Sequence, residues 1–324
     1  MPTDAIAPDD RLTPLRDAAG TDGWFRDVGD VHSALFRPGD GTLLVEFDSE
    51  RSVLARDGAL PWSTGLARKR GWATLSVLSK GRTWFRDDAV FDLFDELTDD
   101  GFFDDYDTVL FVGAGINGYA AAAFSLAAPG ATVFLIAPLA TLSRDHTPWE
   151  PRFRTDRALP FTSRYGYAPS MIDGARRVFV ISDPTETYDA MHASLFQGDH
   201  VTHLRARHGG PRLHRRLEDM GILDRLVAGA VSGALTPLRW AQLWRARRQD
   251  DIWLNNLMRK LDLMERPWLQ AICAGQILTR TGSDAARRRM NDALSQLADA
   301  GREAPAGLDP QAPAAPERMR LAGE

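Results

Sequence analysis

The sequence predicts an α/β protein built on a doubly wound, mostly parallel sheet, with a helical extension at its C-terminal end. Three patterns carry this reading. β-Rich runs alternate with helical patterns from residue 41 to about residue 230, as βαβ units require. The stretch YDTVLFVGAGINGYAAAAFSL, residues 106–126, reads as a buried strand, a tight glycine turn and an alanine-rich helix. From about Thr236 onward only helical patterns remain.

In chain order, residues 1–40 are polar with scattered aromatics and form an N-terminal segment ahead of a core over 41–235. GTLLVEFDS (41–49) is an apolar run opened by glycine and closed by Asp48 and Ser49, a strand followed by a loop. WATLSVLSKG (72–81) is a second strand ending at glycine. DAVFDLFDELTDDG (88–101) spaces Val90, Phe91, Leu93, Phe94 and Leu97 as one helical face and stops at Gly101. The glycine-turn unit follows, then the strand ATVFLIAP (131–138), about forty loop-rich residues, and the strand ARRVFVISDP (175–184). YDAMHASLF (188–196) has a helical pattern, HVTHLRA (200–206) alternates as a strand, and a helix opens after HGG. Residues 236–300 read as a helical extension, and 301–324, rich in Pro, Ala and Gly, as a disordered tail.

Composition bounds the function. The 324 residues are 44% apolar and 26% charged, ordinary for a globular chain long enough to bury a large core. One cysteine, Cys273, excludes an internal disulfide framework and fits a reducing compartment, so a cytoplasmic location is expected. The N-terminus lacks the pattern of a signal peptide, and no apolar run is long enough to span a membrane. The net charge of −5 gives no reason to expect nucleic acid.

The glycine turn admits two machines. Gly113, Gly115 and Gly118 match Gly-x-Gly-x-x-Gly between strand and helix, the context of a dinucleotide site. Such a site needs an acid at the end of the next strand to hold the ribose, and Ala137 and Pro138 stand there. The alternative is a nucleophile elbow, with an acid after a later strand and a histidine after the last one. Asp183 follows VFVIS and His208 follows VTHLRAR, in that order; Asp189 is the second choice of acid. The plain alternatives are a turn-starting Asp-Pro for Asp183 and a polar loop residue for His208.

Residues 41–230 resemble the α/β-hydrolase superfamily. VGAGINGYAAAAFSLAAPGATVFLIAP is similar to elbows of the form Gly-x-Ser-Met-Gly-Gly-Tyr-x-Ala. With Pro61–Trp62 ahead of it, the chain most resembles a bacterial subgroup, some of whose members are labelled phosphoadenosine phosphosulfate reductase. The resemblance implies an α/β-hydrolase-type core with Gly115 at the nucleophile position. Glycine has no side chain to attack a carbonyl, so serine-nucleophile activity is not expected. The implied oxyanion donors are the backbone N–H of Ile116 and one near Asp48–Ser49, which survive loss of the serine.

The expectation is therefore a hydrolase-fold pseudo-enzyme that binds a small-molecule or acyl ligand, or a protein partner through its C-terminal helices. The alternatives are a hydrolase using water activated by His208 with Asp183, and a nucleotide-binding oxidoreductase. Sulfonucleotide reduction is not expected, since no Ser-Gly-Gly loop is present and Cys273 lies in the apolar run LQAICAGQIL. No cofactor is called, and no metal, because His192, His200, His203 and His208 lack paired ligand spacing. Lys80, Arg82 and Arg86 offer a phosphate or sulfate site just past a strand end. Trp149 and Phe153 lie where this fold inserts a lid, and His214 is expected on the solvent face of its helix.

Overall fold

A computed structural model describes residues 10–308. Its strands are β1 (Trp24–Val28), β2 (His32–Arg37), β3 (Thr42–Ser49), β4 (Ala73–Ser79), β5 (Thr108–Ala114), β6 (Thr132–Ile136), β7 (Arg177–Ser182) and β8 (Val201–Arg205). They form one eight-stranded sheet in the order β1-β2-β4-β3-β5-β6-β7-β8. Every pairing from β4 across to β8 is parallel, while β1–β2 and β2–β4 are antiparallel. This is a doubly wound sheet of α/β-hydrolase type.

The helices are α1 (Thr13–Ala19), α2 (Glu50–Leu54), α3 (Ser63–Arg70), α4 (Asp88–Asp99), α5 (Ile116–Phe124), α6 (Ala168–Met171), α7 (Thr187–Ser194), α8 (Leu213–Asp219) and α9 (Leu223–Ser232). α10 (Pro237–Leu243), α11 (Asp251–Leu263), α12 (Pro267–Thr281) and α13 (Asp284–Asp299) follow. Among the described residues no helix is long and apolar enough to cross a membrane.

The central strands are near-continuous apolar runs because parallel strands are covered on both faces. All seven positions of β4 are buried. α4 buries its expected stripe, Val90, Phe91, Leu93, Phe94 and Leu97, and Asp87 caps it by accepting from the Ala89 N–H. Phe94 stacks on Phe124 of α5 with ring centroids 4.5 Å apart, and Phe47 of β3 stacks on both. These aromatic contacts bind α4 and α5 to one face of the sheet.

Residues 1–40, read from the sequence as a segment ahead of the core, contribute strands to the sheet. β1 and β2 come from this stretch and extend the sheet beyond β4. Chain contacts divide the protein into two units. One comprises the residues up to Arg207 together with Pro211–Leu243; the other comprises His208–Gly210 and the residues from Trp244 on. The second unit has its own core, with Leu254, Met258 and Leu261 of α11 against Cys273, Ile277 and Leu278 of α12 and Met290 of α13. Leu308 packs against that cluster, and residues 309–324 of the predicted disordered tail lie outside the described residues.

Candidate functional site

β5 runs into α5 through Gly115, which has φ 58° and ψ −120°. That is a sharp strand-to-helix turn, in a conformation L-residues adopt only under strain. The turn is fixed on both sides. The Gly115 N–H donates to the Ile136 carbonyl at 3.0 Å, and the Gly115 carbonyl accepts from Tyr119 and Leu139 N–H groups, each at 3.1 Å. The flanking glycines have steric causes. A Cβ on Gly113 would run into the Asn117 backbone, and one on Gly118 would press against Pro138 at 3.2 Å. A Cβ on Gly115 would meet nothing within 4 Å. The turn is thus crowded at Gly113 and Gly118 and open at the place a Gly115 side chain would take.

That open place gives onto a cavity of about 600 Å³, lined by Gly115, Ile116, Leu139, Phe153, Arg212 and His214 among others. A smaller cavity of about 190 Å³ lies behind the elbow and is lined by Asp48, Trp62, Gly113, Asn117 and His214. Both sit at the C-terminal ends of parallel strands, where open α/β sheets bind ligands, and the larger one is of a size to hold a small molecule. Ile116 is the first residue of α5, so its N–H has no carbonyl a turn earlier to receive it.

The second expected oxyanion donor is already engaged. The Ser49 N–H donates to Asp48 Oδ1 at 2.7 Å, an internal carboxylate in place of a ligand. The Asn117 side chain reaches the same oxygen at 3.4 Å, and Arg56 lies 3.7 Å from Asp48 Oδ2. Burial raises the Asp48 carboxyl above its ordinary range, against these donors. Two residues earlier on β3, Glu46 is fully buried, with Oε1 accepting from the Ser63 and Ser76 hydroxyls. Burial pushes it to about 7, and its Oε2 has no hydrogen-bond partner.

Asp183 follows β7 directly and is buried; its Oδ1 accepts from the Thr185 N–H at 2.9 Å and the Thr185 hydroxyl at 2.7 Å. His208 follows β8 at φ 65°. Its ring lies 6.5 Å from that of Trp253, and its carbonyl accepts from Asn256 at 3.2 Å. Asp183 and Gly115 belong to the sheet unit and His208 to the helical unit. Asp189 lines the Gly115 cavity.

His214 is the residue the sequence misplaced. It was expected on a solvent face, and it lines both cavities at the elbow. It sits on the first turn of α8 with its ring edge-on to Trp62, centroids 6.1 Å apart. Burial lowers its pKa, with Glu218 working in the opposite direction.

The segment carrying Glu150 and Arg152 is held by a second ionic cluster. The fully buried His192 takes the Ala140 N–H on Nδ1 at 3.1 Å, which places its proton on Nε2, toward Glu150 Oε2 at 3.0 Å. Burial depresses His192 to about 4, so this pair is a neutral imidazole donating to a carboxylate. Arg152 chelates Glu150 and reaches Asp189 at 2.6 Å; Phe153 beside it lines the cavity, while Trp149 packs edge-on to His192 at 4.8 Å.

Two of the three basic residues considered for phosphate or sulfate are otherwise employed. Arg86 donates to the Arg164 and Pro160 carbonyls and to the Ser163 hydroxyl, and Arg82 pairs with Asp156 at 3.2 Å. Cys273 is buried, and its thiol is pushed up to about 11 by burial. That is the environment of a packed thiol rather than a nucleophilic thiolate.

No family model matches the chain, and no curated protein matches it. Several solved structures do. A mutant capsule O-acetyltransferase of Neisseria meningitidis serogroup A in complex with CoA is 12% identical with a TM-score of 0.41, covering 66% of this chain and 99% of that one. Est1E from Butyrivibrio proteoclasticus is 13% identical with a TM-score of 0.39, covering 57% and 89%. A Pyrobaculum calidifontis esterase is 16% identical with a TM-score of 0.39, covering 70% and 90%.

Proposed function

We propose that this chain is a hydrolase-fold pseudo-enzyme that binds a small organic ligand at a vacated nucleophile elbow. The observation that carries the reading is the turn at Gly115. Its backbone keeps the strained φ and ψ of a nucleophile-bearing residue, while the side-chain position is open and faces a cavity of about 600 Å³. A ligand oxygen there would meet the Ile116 N–H, with Leu139 and Phe153 offering apolar wall and the arginines of the rim offering positive potential. Asp183 and His208, at the acid and histidine positions after β7 and β8, are the proposed remnant of the catalytic set.

Without a hydroxyl at residue 115, no acyl-enzyme can form there. A fluorophosphonate probe is expected to leave the purified protein unlabelled, read by intact mass. Gly115→Ser should take up one equivalent and hydrolyse p-nitrophenyl acetate, and His208→Ala in that background should remove the gain. Stoichiometric labelling of any other serine in the unaltered protein would show that the elbow has been placed wrongly.

A further inference from the structure

Of the arginines that line the Gly115 cavity, three are paired. Arg56 bonds Glu218 at 3.0 Å, Arg152 holds Glu150 and Asp189, and Arg215 lies near Glu218 and Asp219. Arg212 has no such carboxylate among the described residues, and it is exposed at the start of α8. Two residues on, the His214 imidazole makes no hydrogen bond within the described residues, although it is only part-exposed and opens onto both cavities. Its ring nitrogens are not sealed from solvent, so they stand available to a molecule entering the cavity. The groups facing it are Glu218 one helical turn later, Arg56 and Arg215, with the Trp62 ring against its edge.

We propose that Arg212 and His214 form the head-group subsite of this cavity, and that the ligand is an amphiphilic organic anion. The inference rests on the ligand-binding reading above and adds the class of ligand. Arg212 supplies the uncompensated positive charge. His214, whose basicity burial lowers, can as a neutral imidazole give one hydrogen bond and take another, which suits a head group carrying both a charged oxygen and a hydroxyl or ester oxygen. Ile116, Leu139 and Phe153 leave an apolar wall for the remainder of the molecule. Carboxylate and phosphate head groups share this chemistry, and the probes separate them.

The test is calorimetric titration of the full chain with octanoate, octyl phosphate and neutral 1-octanol, with ¹⁵N spectra of the histidine rings and the Ile116 amide. At least one anion should bind more tightly than octanol and move the His214 ring nitrogens. Arg212→Ala should erase the preference for the anion. His214→Ala should weaken it about tenfold, the worth of a good hydrogen bond, and His214→Gln should restore most of that loss. Arg212 is exposed, so its variant decides the matter even if substitution of His214 impairs folding. If an anion binds but neither variant changes its affinity and the His214 nitrogens stay still, the subsite is wrong while the cavity reading stands. Tighter binding of octanol than of either anion overturns the assigned class. Binding of none of the three, with the Ile116 amide unmoved, removes the ligand-binding reading itself.

Discussion

Gly113 and Gly115 stand two residues apart and are glycine for opposite reasons. Gly113 has no room: a Cβ would collide with backbone of the helix that follows. Gly115 has room and lacks only conformational ease, at φ 58°. Gly113→Ala should therefore destabilise the fold by roughly 3 kcal/mol or more, since backbone must move. Gly115→Ala should cost only about 1–2 kcal/mol, the strain of an L-residue in that region. Urea unfolding of the two variants compares them directly, and the reverse order would mean that the turn is not an elbow. The sequence showed the turn, because three glycines between an apolar run and an alanine-rich helix admit little else. It did not show that His214 lines the cavities beside the turn. His208 and His214 are six residues apart, and strand order favours the first. Which face of a short helix such as α8 is covered depends on packing that no local spacing encodes.

At the scale of one element, β3 places two acids on the face that meets α3 and the elbow. The sequence GTLLVEFDS reads as a strand, but it gave no warning that Glu46 would be sealed among the hydroxyls of Ser63 and Ser76, which come from separate elements. The consequence is a pH dependence whose sign can be worked out. Glu46 has its folded pKa raised from 4.5 to about 7. Its contribution to stability is complete below its unfolded value and is lost as pH rises through about 7. His192, lowered from 6.5 to about 4, acts the other way, since the unfolded chain takes up its proton first as pH falls. The two oppose each other through the acidic range, and His192 still offsets part of the Glu46 loss up to about pH 7.5. Between pH ~6.5 and ~8 the Glu46 contribution should fall by roughly 0.8 kcal/mol and His192 return about half of it, and Glu46→Gln should turn the small net drop into a small rise. Chemical denaturation across this range checks it; an unchanged slope in the variant would show that another group is responsible.

For the whole molecule, the parallel half of the sheet was legible because its strands are apolar runs separated by helical patterns. The antiparallel edge was not. β2 carries His32, Ser33 and Arg37 within six residues, and β1 has only one fully buried position, so neither forms an apolar run or a clean alternation. Their place in the sheet comes from pairing with β4, a contact between residues about forty apart in the chain. That pairing has a strong consequence for truncation. All seven residues of β4 are buried, and β2 satisfies the backbone of one whole side, from His32 opposite Ser79 to Arg37 opposite Thr74. A chain beginning at Gly39 loses α1, β1 and β2 and leaves β4 as an edge strand. It also strips Leu35 and Leu15 from the cluster over Leu78 and Val53. An exposed, long and apolar edge is a template for pairing with other chains. The shortened chain should therefore aggregate, although it retains the elbow, the cavity and every proposed site residue. Light scattering and soluble yield, compared with the full chain at equal concentration, give the readout. A monomeric product with the full chain's melting temperature would mean that β1 and β2 decorate the sheet instead of closing it.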